Sequence, residues 1–132
     1  MPSRLRLGVV LSFVLGSAAT FIAPVAMAGD AEIDRGGCGP SSSTAYYKLK
    51  VSTTDNSRLN VSFAVFSDDL DEWDWKLLHN DDVSARGGAQ ARDADRSFRV
   101  VRRMIDAPGV DEITFRTENT VTGEVCRGVL DL

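Results

Sequence analysis

Ala45-Tyr46-Tyr47-Lys48-Leu49-Lys50-Val51-Ser52-Thr53-Thr54-Asp55-Asn56-Ser57-Arg58-Leu59-Asn60-Val61-Ser62-Phe63-Ala64-Val65-Phe66-Ser67 decides the fold. Tyr47, Leu49 and Val51 alternate with Tyr46, Lys48, Lys50 and Ser52, and Leu59, Val61, Phe63 and Val65 recur at the same interval. A period of two sends successive side chains to opposite faces of a sheet, so this pattern predicts half-buried strands at Ala45 to Thr53 and Arg58 to Ser67. Thr54-Asp55-Asn56-Ser57 supplies the turn, and the two strands are expected to pair.

Toward the C-terminus the pattern repeats. Trp73, Trp75 and Leu77 alternate with Asp74 and Lys76, and His79-Asn80-Asp81-Asp82 ends that strand. Val83 to Ala91 reads as a weaker strand in which Gly87-Gly88 marks a bulge or a close backbone approach. Ser97 to Ile105, Asp111 to Glu118 and about Glu124 to Leu132 complete the set, and no helical period is present. Seven short strands with turns about every ten residues predict an all-β, immunoglobulin-like antiparallel β-sandwich over residues 44–132, with 29–43 as a flexible lead-in.

Toward the N-terminus, residues 1–28 read as a signal peptide. Arg4 and Arg6 form the cationic end, Leu7 to Val25 carries no charge, Pro24 breaks the apolar helix, and Ala26-Met27-Ala28 offers small side chains to a peptidase. The rival is a retained anchor, because the apolar run approaches the roughly 20 residues of a spanning helix. Cleavage after Ala28 is the expectation, leaving no membrane span and a secreted or envelope-associated product. In that compartment Cys38 and Cys126 are expected to form a disulfide closing a long loop, worth on the order of 4 to 5 kcal/mol.

Removing Arg4 and Arg6 from 15 basic residues leaves 13 against 19 acids, a formal charge of −6. An acidic balance argues against nucleic acid, unless basic residues are strongly segregated. The expected partner is therefore an extracellular protein or a cell-wall polymer.

Ser97-Phe98-Arg99-Val100-Val101-Arg102-Arg103, Pro108-Gly109-Val110-Asp111 to Phe115, and Thr122-Gly123-Glu124-Val125-Cys126-Arg127-Gly128 resemble small secreted proteins common in actinobacteria. The tryptophan strand with His79-Asn80 is similar to theirs as well. The resemblance covers about a third of the mature chain. It implies a β-sandwich without an established biochemical activity and transfers no catalytic residue. Where such proteins tend to carry glycine after the asparagine, this chain has Asp81.

The chemistry-bearing candidates each have a bland alternative. Asp69, Asp71 and Asp74 are the first choices for calcium in an acidic stretch that lacks EF-hand order, and a solvated acidic rim is the stronger reading of them. Paired carboxylates would suit glycoside hydrolysis, but a domain this small has little mass to wall a cleft. His79 is the only histidine and lacks a nucleophile motif around it. No cofactor is expected. A possible binding face combines Trp73, Trp75, Arg99 and Arg102, although the tryptophans also suit the inter-sheet core and the arginines suit pairing with acids. Arg102 shares its parity with Phe98 and Val100, which calls for an edge position or a distorted strand. These features point to a non-catalytic binding module, with a small hydrolase of wall polymers or glycans, or an inhibitor using the Asp106 to Val110 loop, as alternatives.

Overall fold

The computed structural model describes residues 31–54 and 56–132, so the expected signal peptide lies outside the described residues. The strands are β1 (Glu32–Gly37), β2 (Tyr46–Thr54), β3 (Arg58–Phe66), β4 (Trp73–His79), β5 (Asp82–Ala89), β6 (Ser97–Ile105), β7 (Glu112–Asn119) and β8 (Val125–Asp131). They form two four-stranded antiparallel sheets, ordered β1-β2-β3-β6 and β5-β4-β7-β8, with a common apolar core. Among the described residues no helix is long and apolar enough to cross a membrane.

The alternation dictates the core. Leu49, Val51, Leu59, Val61, Phe63 and Val65 of the first sheet meet Trp73, Trp75, Leu77, Ile113 and Phe115 of the second. Phe63 is the hub: it stacks on Phe115 at 4.8 Å and meets Trp75 and Phe98 edge-on at 5.7 and 6.2 Å. Burying an aromatic of this size contributes about 2–3 kcal/mol, and each favourable ring pair adds about 0.5–1.5 kcal/mol.

The segment expected as a flexible lead-in contains an eighth strand. β1 pairs with β2 from Glu32↔Val51 to Gly37↔Tyr46. It escapes a pattern reading because an edge strand is held by backbone pairing and these side chains show little apolar alternation. What anchors it is polar: Asp34 Oδ2 accepts from the Tyr47 hydroxyl at 2.9 Å and from the Val129 amide of β8 at 3.2 Å. Tyr47 is buried, and burial followed by the neighbouring Asp34 carboxylate pushes its phenol up to about 12.

The same side of the sandwich is closed covalently. Cys38 and Cys126 form the disulfide, with Cα atoms 4.3 Å apart and a sequence separation of 88. Beside it the Gly39 and Val125 amides and carbonyls exchange hydrogen bonds of 2.8 and 2.9 Å. The opposite side, between β5 and β6, is open, and there both strands present free edges.

Glycine decides two close approaches. A Cβ at Gly87 would fall 2.8 Å from the Trp75 ring, and one at Gly128 would fall 2.6 Å from the Phe115 ring. The Gly87-Gly88 pair is thus a close-approach site, and the bulge lies three residues earlier on the same strand, where Ser84 is the extra residue between Val83 opposite Leu78 and Ala85 opposite Leu77. Asn80 and Asp81 both have positive φ, 49° and 69°, as a two-residue hairpin turn requires. Asp81 therefore adopts the conformation that glycine would take at lower cost.

Candidate functional site

Registers in the first sheet place one set of side chains outward: Arg35 on β1, Lys48 and Lys50 on β2, Arg58 on β3, Arg99 and Arg103 on β6. No aspartate or glutamate of these four strands shares that face. Glu32 and Asp34 have the opposite parity, opposite Val51 and Leu49. The face is cationic in a chain whose formal charge is −4.

Its relief follows from residue size. Down β3 run Asn60, Ser62 and Ala64, all small. Lys48 and Lys50 stand on one side, and Arg99, Val101 and Arg103 on the other. Two adjoining depressions share Lys50, Ser62 and Val101 and so make one shallow trough along β3. With strands about 4.8 Å apart, its walls are separated by roughly 10 Å, and successive cations on one strand stand roughly 7 Å apart.

One end of the trough is aromatic. Tyr46, half exposed, stacks on Phe66 at 4.5 Å with ring planes 8° apart, and the Arg99 guanidinium carbon lies 5.8 Å from the Phe66 centre. Arg99 is also bonded to Asp95 at 3.0 Å, with both side chains about half exposed, so solvent screens the pair. The Ser97 hydroxyl, aided by Arg99, holds the Asp95 carboxyl below its ordinary value against an opposing desolvation.

The four residues expected as a binding face do not come together. Trp73 is fully buried and Trp75 is 7% exposed, so both serve the inter-sheet core and neither forms an outer platform. Arg99 does lie on the cationic face. Arg102 has inward parity on β6, and because β6 is an edge its side chain runs over the Trp75 ring, 5.3 Å from the ring centre. Of the neighbouring arginines, Arg96 pairs with Asp68 at 2.9 Å, whereas Arg103 has no ion-pair partner among the described residues.

The carboxylates are dispersed. Asp69 and Asp71 lie between β3 and β4, where Asp69 Oδ1 accepts from the Asp71 amide and Asp71 accepts from Asn119, while Asp74 is on the outer face of β4. Among the described residues no three potential metal ligands converge. His79 Nε2 is 2.6 Å from buried Asp111. Burial pushes the Asp111 carboxyl up, but bonds with His79, Asp106 and the Ala107 amide outweigh it and hold the group below its usual range. Asp106 is raised, by its hydrogen bond to Asp111 first and by desolvation second. This cluster ties the β6–β7 loop, with Gly109 at positive φ and Val110 exposed, to the end of β4. Among the described residues no nucleophile is hydrogen-bonded to His79.

Arg103 belongs to the arginine run Arg96, Arg99, Arg102, Arg103 that the sequence displays, whereas Arg35, Tyr46, Lys48, Lys50 and Arg58 are not singled out by any motif. Tyr46, Lys48 and Lys50 share a parity that the alternation shows. Bringing Arg99 and Arg103 alongside them requires the β3–β6 pairing, which joins residues some forty positions apart. No family model, curated protein or solved structure matches this chain.

Proposed function

We propose that this protein is an exported, non-catalytic binding module that holds a linear anionic polymer of the cell wall, one bearing phosphodiesters, in the trough along β3. The observation that carries this reading is the segregation of charge: Arg35, Lys48, Lys50, Arg58, Arg99 and Arg103 share one sheet face with no acid of those strands, in a net acidic chain. A polyanion gains affinity there by releasing its counterions, and the small floor residues leave room for an extended chain between the basic walls. Roughly 7 Å between Lys48 and Lys50 suits successive phosphates of an extended phosphodiester. The Tyr46–Phe66 stack offers a ring face for a sugar substituent.

Export is supported by the leader pattern of residues 1–28 and by the disulfide, which persists in oxidising compartments. The order β2-β3-β6 against β5-β4-β7-β8 supports an immunoglobulin-like classification, with β1 added at one edge. The resemblance to small secreted actinobacterial proteins is compatible with this reading.

Sedimentation with isolated bacterial cell walls tests it. Wild-type protein should pellet at low salt and be released as salt rises, and walls stripped of phosphodiester polymers should retain it poorly. Arg99→Glu combined with Arg103→Glu should weaken binding at least tenfold while leaving the melting temperature within a few degrees. Salt-insensitive pelleting, undiminished binding by that variant, or binding to single-stranded DNA in preference to walls would overturn the proposal.

A further inference from the structure

The opposite face of the sandwich carries a second cationic feature, arranged differently. Register places Arg86 of β5 opposite Lys76 of β4, Lys76 opposite Arg116 of β7, and Arg116 opposite Arg127 of β8. Four bases thus stand side by side across the whole second sheet, spanning roughly 14 Å over three strand spacings. Directly opposed side chains of like charge repel, so this row works against the stability of the sheet unless an anion lies on it. Arg116 is relieved by Glu118 at 3.2 Å; Lys76, Arg86 and Arg127 have no ion-pair partner among the described residues.

The surroundings confine a ligand to the row. Lys76, Arg86 and Arg116 wall a shallow depression that reaches Gly87. Asp74 and Glu118 make an acidic border on one flank, and Val83, Leu78, Thr114 and Val129 make an uncharged border on the other. A polyanion is therefore steered across the strands here, whereas on the first sheet it lies along them.

We propose that this row is a second polymer-binding site and that the protein cross-links two anionic chains, one held on each outer face. The inference rests on the polymer-binding reading above. The two faces look in opposite directions across sheets about 10 Å apart, so a single stiff segment cannot touch both. Two occupied faces then mean two segments, and the protein becomes a bridge whose avidity depends on both.

The test uses poly(glycerol phosphate), with sedimentation reporting binding and light scattering reporting bridging. Wild-type protein should raise scattering as it is added, and excess polymer should abolish the signal by separating the bridges. Lys76→Glu with Arg86→Glu should keep binding within about threefold and lose the scattering. The neutral pair Lys76→Gln and Arg127→Gln gives the same readout if charge reversal impairs folding. Binding without scattering by wild type, or full scattering by either second-face variant, would overturn the bridge and leave the first-face reading intact. Absence of polymer binding by wild type would overturn that first-face reading.

Discussion

Arg102 lies over Trp75, its guanidinium carbon 5.3 Å from the ring centre, and covers the open side of the sandwich where β5 and β6 present free edges. A cation over an indole is worth about 0.5–1 kcal/mol when exposed and more when desolvated, and the arginine stem adds packing. Arg102→Ala should lower stability by about 1 kcal/mol and expose the indole edge. Fluorescence checks this: collisional quenching should rise, while Arg103→Ala should leave it unchanged.

The disulfide and the β1 edge close the other side. Replacing Cys38 and Cys126 together with serine frees a loop of 88 residues, which should cost on the order of 4 to 5 kcal/mol. Denaturant titration of the variant and of the reduced wild type should give matching losses. A loss below about 1 kcal/mol would count against loop closure as the source.

Gly128 sits where a Cβ would meet Phe115 at 2.6 Å and Tyr47 at 2.8 Å. Both rings are core side chains with no room to swing away, so Gly128→Ala should destabilise by about 1–3 kcal/mol through overpacking. Near-ultraviolet circular dichroism should change, because Tyr47 and Phe115 pack edge to face at 5.0 Å.

Asp81 holds φ at 69° in the β4–β5 hairpin. Asp81→Gly relieves that conformation but adds freedom to the unfolded chain, and the net gain should be about 0.5 kcal/mol. Asn80 should not tolerate the same change: its side chain accepts from the Glu112 amide at 2.8 Å, so Asn80→Gly loses a bond that ties the hairpin to β7. Thermal melts of the two variants should shift in opposite directions.

Tyr47 titrates near 12 in the fold against an ordinary value of 10. The folded state therefore retains a proton that the unfolded chain releases, so the contribution is fully present below pH 10 and is lost as pH rises toward 12. Stability measured between those values should fall, and Tyr47→Phe should flatten that part of the profile. The variant should also loosen β1, because Asp34 loses the hydroxyl it accepts from.

Much of this molecule is readable along the chain. The alternation through Tyr47, Leu49, Val51 and through Leu59, Val61, Phe63, Val65 gives paired strands whose inward residues are the core, because period two is a local property of extended backbone. Cys38 and Cys126 were paired by count and compartment, and the structure joins them. β1 was missed because its hold is Asp34 reaching Tyr47 and Val129, contacts that no run of six residues displays.

The candidate site divides along the same line. The parity of Lys48, Lys50, Arg99 and Arg103 is local and was legible. Their assembly into one face with Arg35 and Arg58 was not, since it depends on which strand lies beside which. Net charge does not report this segregation: it sums over the molecule, whereas here the acids of the first-sheet strands fall on the other parity. Arg102 shows the converse, with an inward parity that would bury a charge on any central strand and that becomes harmless because β6 is an edge. Local periodicity thus sets which residues can share a face. Strand order and register, decided by how the inward side chains pack between two sheets, set which of them do.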